Sequence, residues 1–391
     1  MRVRSVTTLG FRNLAGGETP LAEGVTLLWG PNGAGKTNLL EAVYMGLAAR
    51  SPRTRADREV IAFGGALARV EVELADAAER RTFLCAIERG EERRHRVDGK
   101  ALDAAALADL RPALSVFMPD RLALVKGPPA ARRSHLDGFC GALWPARAEP
   151  RRRYGRALAQ RNALLGRIRA GAAGPAALDA WDAELAAAGA ELMGIRAAAC
   201  ESLAGPFADA AGQLGLDGDA SLAYRPRSEA PGAEALAAEL AGRRAADVDR
   251  GFTTHGPHLD ELALTRGSRA LRRYGSQGEQ RLALLALLFA EREVLIDEGR
   301  PPPLMLLDDV GSELDPDRRA LLCERLRAGG GQALITATEP GQLPPECPRQ
   351  ELAMRAGAVI AAAGAGADER EATPVAKPQG EAEVEPGAEA A

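Results

Sequence analysis

Gly30-Pro31-Asn32-Gly33-Ala34-Gly35-Lys36-Thr37 stands between two stretches of opposite character. Before it, Val25-Thr26-Leu27-Leu28-Trp29 is a short apolar run that reads as a buried strand, and Gly30-Pro31 cannot continue it. After it, Asn38-Leu39-Leu40-Glu41-Ala42-Val43-Tyr44-Met45 has apolar residues at helical spacing. Strand, G-x-x-x-x-G-K-[ST] and helix in that order form a phosphate loop. The glycines let backbone N–H groups close around a β-phosphate, and the helix N-terminus adds positive potential. Lys36 is expected to reach the β- and γ-phosphates and Thr37 to hold Mg²⁺, with Gly30 to Gly35 and Asn38 completing the cradle. The chain has only four lysines, Lys36, Lys100, Lys126 and Lys377, beside 46 arginines, so a lysine kept at this position is a strong signal.

A metal held by Thr37 needs a carboxylate. Leu304-Met305-Leu306-Leu307-Asp308-Asp309 ends a second buried strand on two acids, at the strand end where open α/β sheets bind ligands. Asp308 is placed to bind Mg²⁺, and Asp309 to polarise an attacking water as general base. Ala333-Leu334-Ile335 is a further buried strand, as a largely parallel sheet requires.

A third element, Tyr274-Gly275-Ser276-Gln277-Gly278-Glu279-Gln280, opens the apolar helix Leu282 to Phe289. It resembles the signature of ATP-binding-cassette ATPases, whose serine and glycine bind the γ-phosphate held by the opposite subunit. Ser312-Glu313-Leu314-Asp315 is similar to their D-loop, and Thr336-Ala337-Thr338 stands where many of them keep a switch histidine. The resemblance narrows on Phe11-Arg12-Asn13-Leu14, Val125-Lys126-Gly127-Pro128 with Arg132-Arg133, Gln160-Arg161-Asn162-Ala163-Leu164-Leu165, Trp181-Asp182, Gly256-Pro257-His258 and Leu307-Asp308-Asp309-Val310. Together these resemble the RecF family of bacterial recombination and gap-repair ATPases, from the first strand to about residue 340. Leu259, where the family usually has Arg, and Glu261, where a second Asp is usual, are departures.

The resemblance implies an α/β ATP-binding-cassette head with a mixed, largely parallel sheet and a helical arm. It implies ATP contacts from Arg12 and from Ser276, Gln277, Gly278 and Glu279 in addition to the phosphate loop, and catalysis by Lys36, Asp308 and Asp309. It further implies an ATP-dependent homodimer that binds single-stranded, gapped and duplex DNA, a weak DNA-stimulated ATPase, and a role in replication, gap repair and SOS induction. RecR, RecO, RecA and single-strand-binding protein are the implied associates.

Composition sets the surroundings. With 391 residues, 46% apolar and 27% charged, the chain is an ordinary globular one. Its longest apolar run, Leu282 to Ala290, is far short of the ~20 residues a membrane helix needs. There is no apolar leader, and the five cysteines form no C-x-x-C pair, so a cytoplasmic protein with reduced, buried thiols is expected. Residues 1–145 and 248–360 are read as two parts of one head, 146–247 as a mainly helical arm broken at Gly171 to Pro175, and 361–391 as a disordered acidic tail. That tail holds seven acids and two bases, so the net charge of −4 belongs to it.

Arg147 to Arg169 carries eight arginines against Glu149 alone. Arg151, Arg152, Arg153 and Arg156 are the candidate DNA contacts, a solvated helix face being the alternative. His255 and His258 are read as structural, and Trp181 as core between the arm helices. Three other functions are weighed. A transporter ATPase would keep its signature close to the phosphate loop, whereas 240 residues separate Ser276 from Lys36. A chromosome organiser of the SMC type needs hundreds of heptad residues, where roughly 60 helical ones are available. A non-hydrolysing nucleotide-dependent DNA scaffold stays open, because Asp rather than Glu follows the metal carboxylate.

Overall fold

The computed structural model describes residues 1–361 apart from 77, 104, 105, 108, 109 and 217, and the expected tail lies outside them except for Ala361. One sheet has the order β15-β14-β3-β13-β12-β8, with β3 (Val25–Trp29), β8 (Leu114–Phe117), β12 (Leu304–Leu307), β13 (Ala333–Ala337) and β14 (Arg349–Arg355) parallel and β15 (Ala358–Ala361) antiparallel. β12 and β13 are buried along their whole length, as strands covered on both faces must be. Their side chains alternate between two cores. Val25, Leu27, Met305, Leu307, Ala333 and Ile335 face the helix α7 (Gln277–Asp297), while Leu28, Leu304, Leu306 and Leu334 join the core of α1 (Lys36–Ala48).

The α1 side is closed by an antiparallel sheet, β2-β1-β4-β5-β6-β7, built from β1 (Arg2–Leu9), β2 (Gly17–Pro20), β4 (Leu67–Ala75), β5 (Arg80–Glu88), β6 (Arg94–Val97) and β7 (Lys100–Ala101). Asp98 and Gly99, both at positive φ, make the tight turn between β6 and β7. A three-stranded sheet, β11-β10-β9, pairs β9 (Ala220–Arg225), β10 (Glu261–Arg266) and β11 (Arg269–Ala270).

Two helices run antiparallel as expected: α3 (Glu149–Arg169), preceded by α2 (Pro129–Leu143), and α4 (Leu178–Gln213). At 1.5 Å per residue, α4 is about 54 Å long. Its first half packs on α3 and α5 (Ala233–Gly242), which α6 (Arg244–Arg250) follows, through Tyr154, Leu185, Leu192 and Leu236, in a core of its own. Trp181 is half-buried against that core. Its second half, from Ala199 to Ala211, belongs to the head core with α7. The helical segment expected over 146–247 is therefore rooted in the head rather than joined by a linker. All five cysteines are buried. No helix among the described residues is long and apolar enough to cross a membrane.

Candidate functional site

The parallel strands β3, β12 and β13 end at one edge, which brings the phosphate loop, Asp308 and Thr336 together from three distant parts of the sequence. Gly30 leaves β3 with φ +152°, and a Cβ there would stand 2.2 Å from the Met354 carbonyl oxygen, so only glycine fits. Gly35, at φ +104°, turns the chain into α1. No acidic residue lies in the first turn of α1 and no side chain caps it, so its free N–H groups face the loop. Lys36 Nζ donates to the Gly30 oxygen at 2.6 Å and to the Pro31 oxygen at 3.0 Å. Burial lowers its pKa, against the pull of Asp309 and Asp308.

Thr37 Oγ1 donates to Asp308 Oδ1 at 2.8 Å, across 271 residues of sequence. Thr336 Oγ1 donates to the same oxygen at 2.7 Å and accepts from the Asp309 N–H at 2.8 Å. Burial raises the Asp308 pKa and the neighbouring Asp309 charge adds to it, while the two hydroxyls hold it down. Asp309 sits at φ +48°, with Oδ2 accepting from Ser312 Oγ at 2.9 Å. Its Oδ1 is buried without a hydrogen-bond partner. That orphaned oxygen, with the Thr37 hydroxyl and Asp308, forms a hard-oxygen donor set of the kind Mg²⁺ and an ordered water take. Thr336, noted in the sequence only as standing in a switch-histidine position, thus ties the two acids to each other. The signal was a hydroxyl residue at the end of a buried strand.

Arg12 and Asn13 also reach this edge. Glu41, on α1 and fully buried, accepts from Arg12 Nε at 3.1 Å and Nη2 at 2.9 Å, Arg53 Nη1 at 3.0 Å and Ser51 Oγ at 2.6 Å. Burial would raise its pKa, but these donors overcome it and hold the carboxyl below its ordinary value. Asn13 Nδ2 donates to the Gly33 oxygen and Asn38 Nδ2 to Asn13 Oδ1. Sequence reasoning picked out Arg12 but not Glu41 or Arg53, because an acid inside an apolar helix looks like surface.

Ser276 caps α7. Its Oγ accepts from Glu279 N at 3.2 Å, and Glu279 Oε2 accepts from Ser276 N at 2.6 Å, a reciprocal capping box. The backbone N–H of Ser276 and the Arg266 charge keep the Glu279 carboxyl below its ordinary pKa, so this side chain is engaged within its own chain. Ser276, Gln277 and Gly278 are exposed. Among the described residues, no hydrogen bond or ion pair joins Ser276 to Glu279 with the phosphate loop.

Five of the eight arginines in the block meet acids within the chain. Arg161 is wholly buried, meeting Asp182 at 2.6 Å and Asp247 at 2.7 Å. Arg151 pairs with Asp137, Arg152 and Arg156 with Glu149, and Arg153 with Glu184 and Glu191. All four candidate DNA contacts thus have acidic partners within the chain. His258 is structural in its geometry, with Nδ1 against Tyr154 Oη at 2.7 Å and Nε2 against the Thr253 oxygen at 3.0 Å. Leu259 is exposed, and Glu261 forms a two-pronged pair with Arg132 at 2.6 and 2.8 Å.

Comparison with known proteins covers nearly this whole architecture. The RecF/RecN/SMC N terminal domain model matches residues 2–347. DNA replication and repair protein RecF of Deinococcus radiodurans is 38% identical over 340 residues, spanning 87% of this chain and 91% of that protein. The RecF of Anaeromyxobacter dehalogenans strain 2CP-1 is 39% identical over 354 residues, spanning 87% and 93%. Among solved structures, the recombination mediator protein RecF with ATP, of the RecFOR pathway, superposes with a TM-score of 0.80 at 26% identity over 93% of this chain and 98% of that one. An Smc head bound to the C-terminal winged-helix domain of ScpA shares the fold, with a TM-score of 0.57 at 15% identity over 92% of this chain and 96% of that one.

Proposed function

The chain belongs to the RecF family of DNA replication and repair proteins, and from that premise we propose that it is an ATPase whose ATP-bound heads pair to hold DNA. The observation that carries the reading is the convergence of Lys36, Thr37, Asp308, Asp309 and Thr336 at one sheet edge while Ser276 caps a helix whose exposed start makes no contact with them. A γ-phosphate cradled by Lys36 is then completed by Ser276 and Gly278 of a second copy.

Each residue has a definite task. Lys36 exchanges its two backbone carbonyl contacts for the β- and γ-phosphates, and the N–H groups of residues 33–37 take the phosphate oxygens. Thr37 and Asp308 would hold Mg²⁺, which neutralises phosphate charge when bound. Thr336 fixes Asp308 and the Asp309 backbone so that the free Asp309 oxygen orients a water in line with the γ-phosphate. Hydrolysis removes the group that bridges the heads, so turnover releases the clamp, and contact with DNA speeds it. Single-stranded, gapped and duplex DNA are the proposed ligands. RecR, RecO, RecA and single-strand-binding protein are the proposed associates in gap repair and SOS induction, in the cytoplasm.

Sedimentation velocity of the full chain with ATP, ADP or no nucleotide, with and without gapped duplex, tests this. A dimer with ATP and a monomer with ADP, the dimer carrying the DNA, is expected. A monomer under all conditions would refute it. Asp309→Asn separates clamp from scaffold: the clamp predicts a long-lived ATP dimer on DNA, the scaffold unchanged behaviour.

A further inference from the structure

Arg266, Arg269, Arg272 and Arg273 follow one another over eight residues that contain no acid, leading directly into Tyr274 and the Ser276 cap. Arg266 and Arg269 stand directly opposite each other across the β10–β11 hairpin, where like charges repel. Arg266 is drawn to Glu279. Arg269, Arg272 and Arg273 are exposed and meet no carboxylate within ion-pair distance among the described residues. Asp219, at the neighbouring turn, bonds to Gly267 N through its backbone carbonyl, and its carboxylate makes no ion pair with these arginines. Tyr274 is 62% exposed, with the Arg273 guanidinium 5.7 Å from its ring centroid.

Three cations without a carboxylate, one of them facing Arg266 across the hairpin, offer charge that an outside anion can meet. The exposed Tyr274 ring beside these arginines gives a base a face to stack on. We propose that this edge, Arg269 to Tyr274, is the nucleic-acid contact of the head: the arginines take successive backbone phosphates and Tyr274 stacks on an unpaired base. It takes the place of the arm residues Arg151, Arg152, Arg153 and Arg156, whose charges are met within the chain. Because Tyr274 is two residues from Ser276, DNA held here also sets the geometry of the signature that faces the partner's nucleotide. That gives DNA a direct route to the ATPase rate. The inference rests on the proposed DNA-binding function and names its surface.

The test is fluorescence anisotropy of a gapped duplex over a range of salt, with the nucleotide-free protein and with ATP. Replacing Arg269, Arg272 and Arg273 together by Ala should weaken binding at least tenfold and reduce the slope of log affinity against log salt by about 2 to 3. The same three positions as Lys should keep the slope. Tyr274→Ala should lose several-fold affinity for gapped DNA and little for blunt duplex. Arg151, Arg152 and Arg153 replaced together by Ala should bind nearly as wild type. Unchanged slope and affinity in the first variant would overturn the proposal. So would loss of ATP-driven dimerisation in that variant with nucleotide-free DNA binding intact, since the patch would then be dimer surface. Failure of the wild-type chain to bind any DNA would instead remove the functional reading beneath it.

Discussion

Where α3 meets α4, Arg161 is wholly buried, and its charge is met by Asp182 and Asp247, with Thr253 adding a third contact at 2.8 Å. At the C-terminal edge of the parallel sheet, the Asp309 carboxylate keeps a buried oxygen with no partner and the start of α1 is uncapped, while at the start of α7 Ser276 opens onto solvent. The same residue types serve both regions. In the arm their charges are met from within, which fixes a shape. At the sheet edge they are left to be met from outside, which makes a site. Removing one partner should therefore cost stability in the first region and function in the second.

Asp182→Ala should have the largest effect on stability. It leaves Arg161 buried with half its charge balance gone and removes one of the two carboxylates that Arg244 meets, Asp179 being the other. Breaking a buried pair costs about 3 to 5 kcal/mol. Urea unfolding should show that loss as a lower midpoint at unchanged slope, and a shift below 1 kcal/mol would mean the arm is not held as argued. Lys36→Ala should do the reverse, leaving unfolding near wild type while ATP affinity by calorimetry falls at least a hundredfold, about 2.7 kcal/mol. Lys36→Arg should bind ATP but hydrolyse it poorly, its charge kept and misplaced.

Thr336→Val keeps the volume and deletes the hydroxyl between Asp308 and the Asp309 N–H. Hydrolysis should fall about tenfold or more, roughly 1.4 kcal/mol or above, with ATP binding within twofold. Equal losses in both would place Thr336 in binding instead. The smallest expected effect lies back in the arm junction, at His258. Burial lowers its pKa below 6.5, so the folded state favours the neutral ring. Its contribution is complete above the unfolded value of about 6.5 and is lost as the pH falls from there through the depressed folded value. Melting temperature below pH 6.5 should drop less steeply in His258→Asn than in wild type, and parallel curves would remove His258 as a titrating contact.

The sheet edge was largely legible in the sequence, because phosphate and metal chemistry allow few residue types at few spacings. Gly30 to Thr37, Asp308 and Ser276 could be read for that reason. The roles of Thr336 and Glu41 could not: each acts through hydrogen bonds to residues on other elements, so a hydroxyl at a strand end or a glutamate in a helix does not show in the sequence what it holds. The arm was legible as two helices but not as a charge pattern. Five of the eight arginines meet acids, and most of those acids lie outside the block, Asp182 and Asp247 being 21 and 86 residues from Arg161. Arg269, Arg272 and Arg273 stand in a short hairpin and the single helical turn after it, where no helical periodicity marks them.

The central claim is that one chain supplies Lys36 and another Ser276 to the same nucleotide, and a mixing experiment addresses it directly. Lys36→Ala and Ser276→Arg should each sediment as monomers with ATP. Mixed, they can form one intact composite site, from Lys36 of the second variant and Ser276 of the first. The account predicts an ATP-dependent heterodimer, absent with ADP, in the equimolar mixture. Monomers in the mixture, or a full ATP dimer of Ser276→Arg by itself, would contradict it.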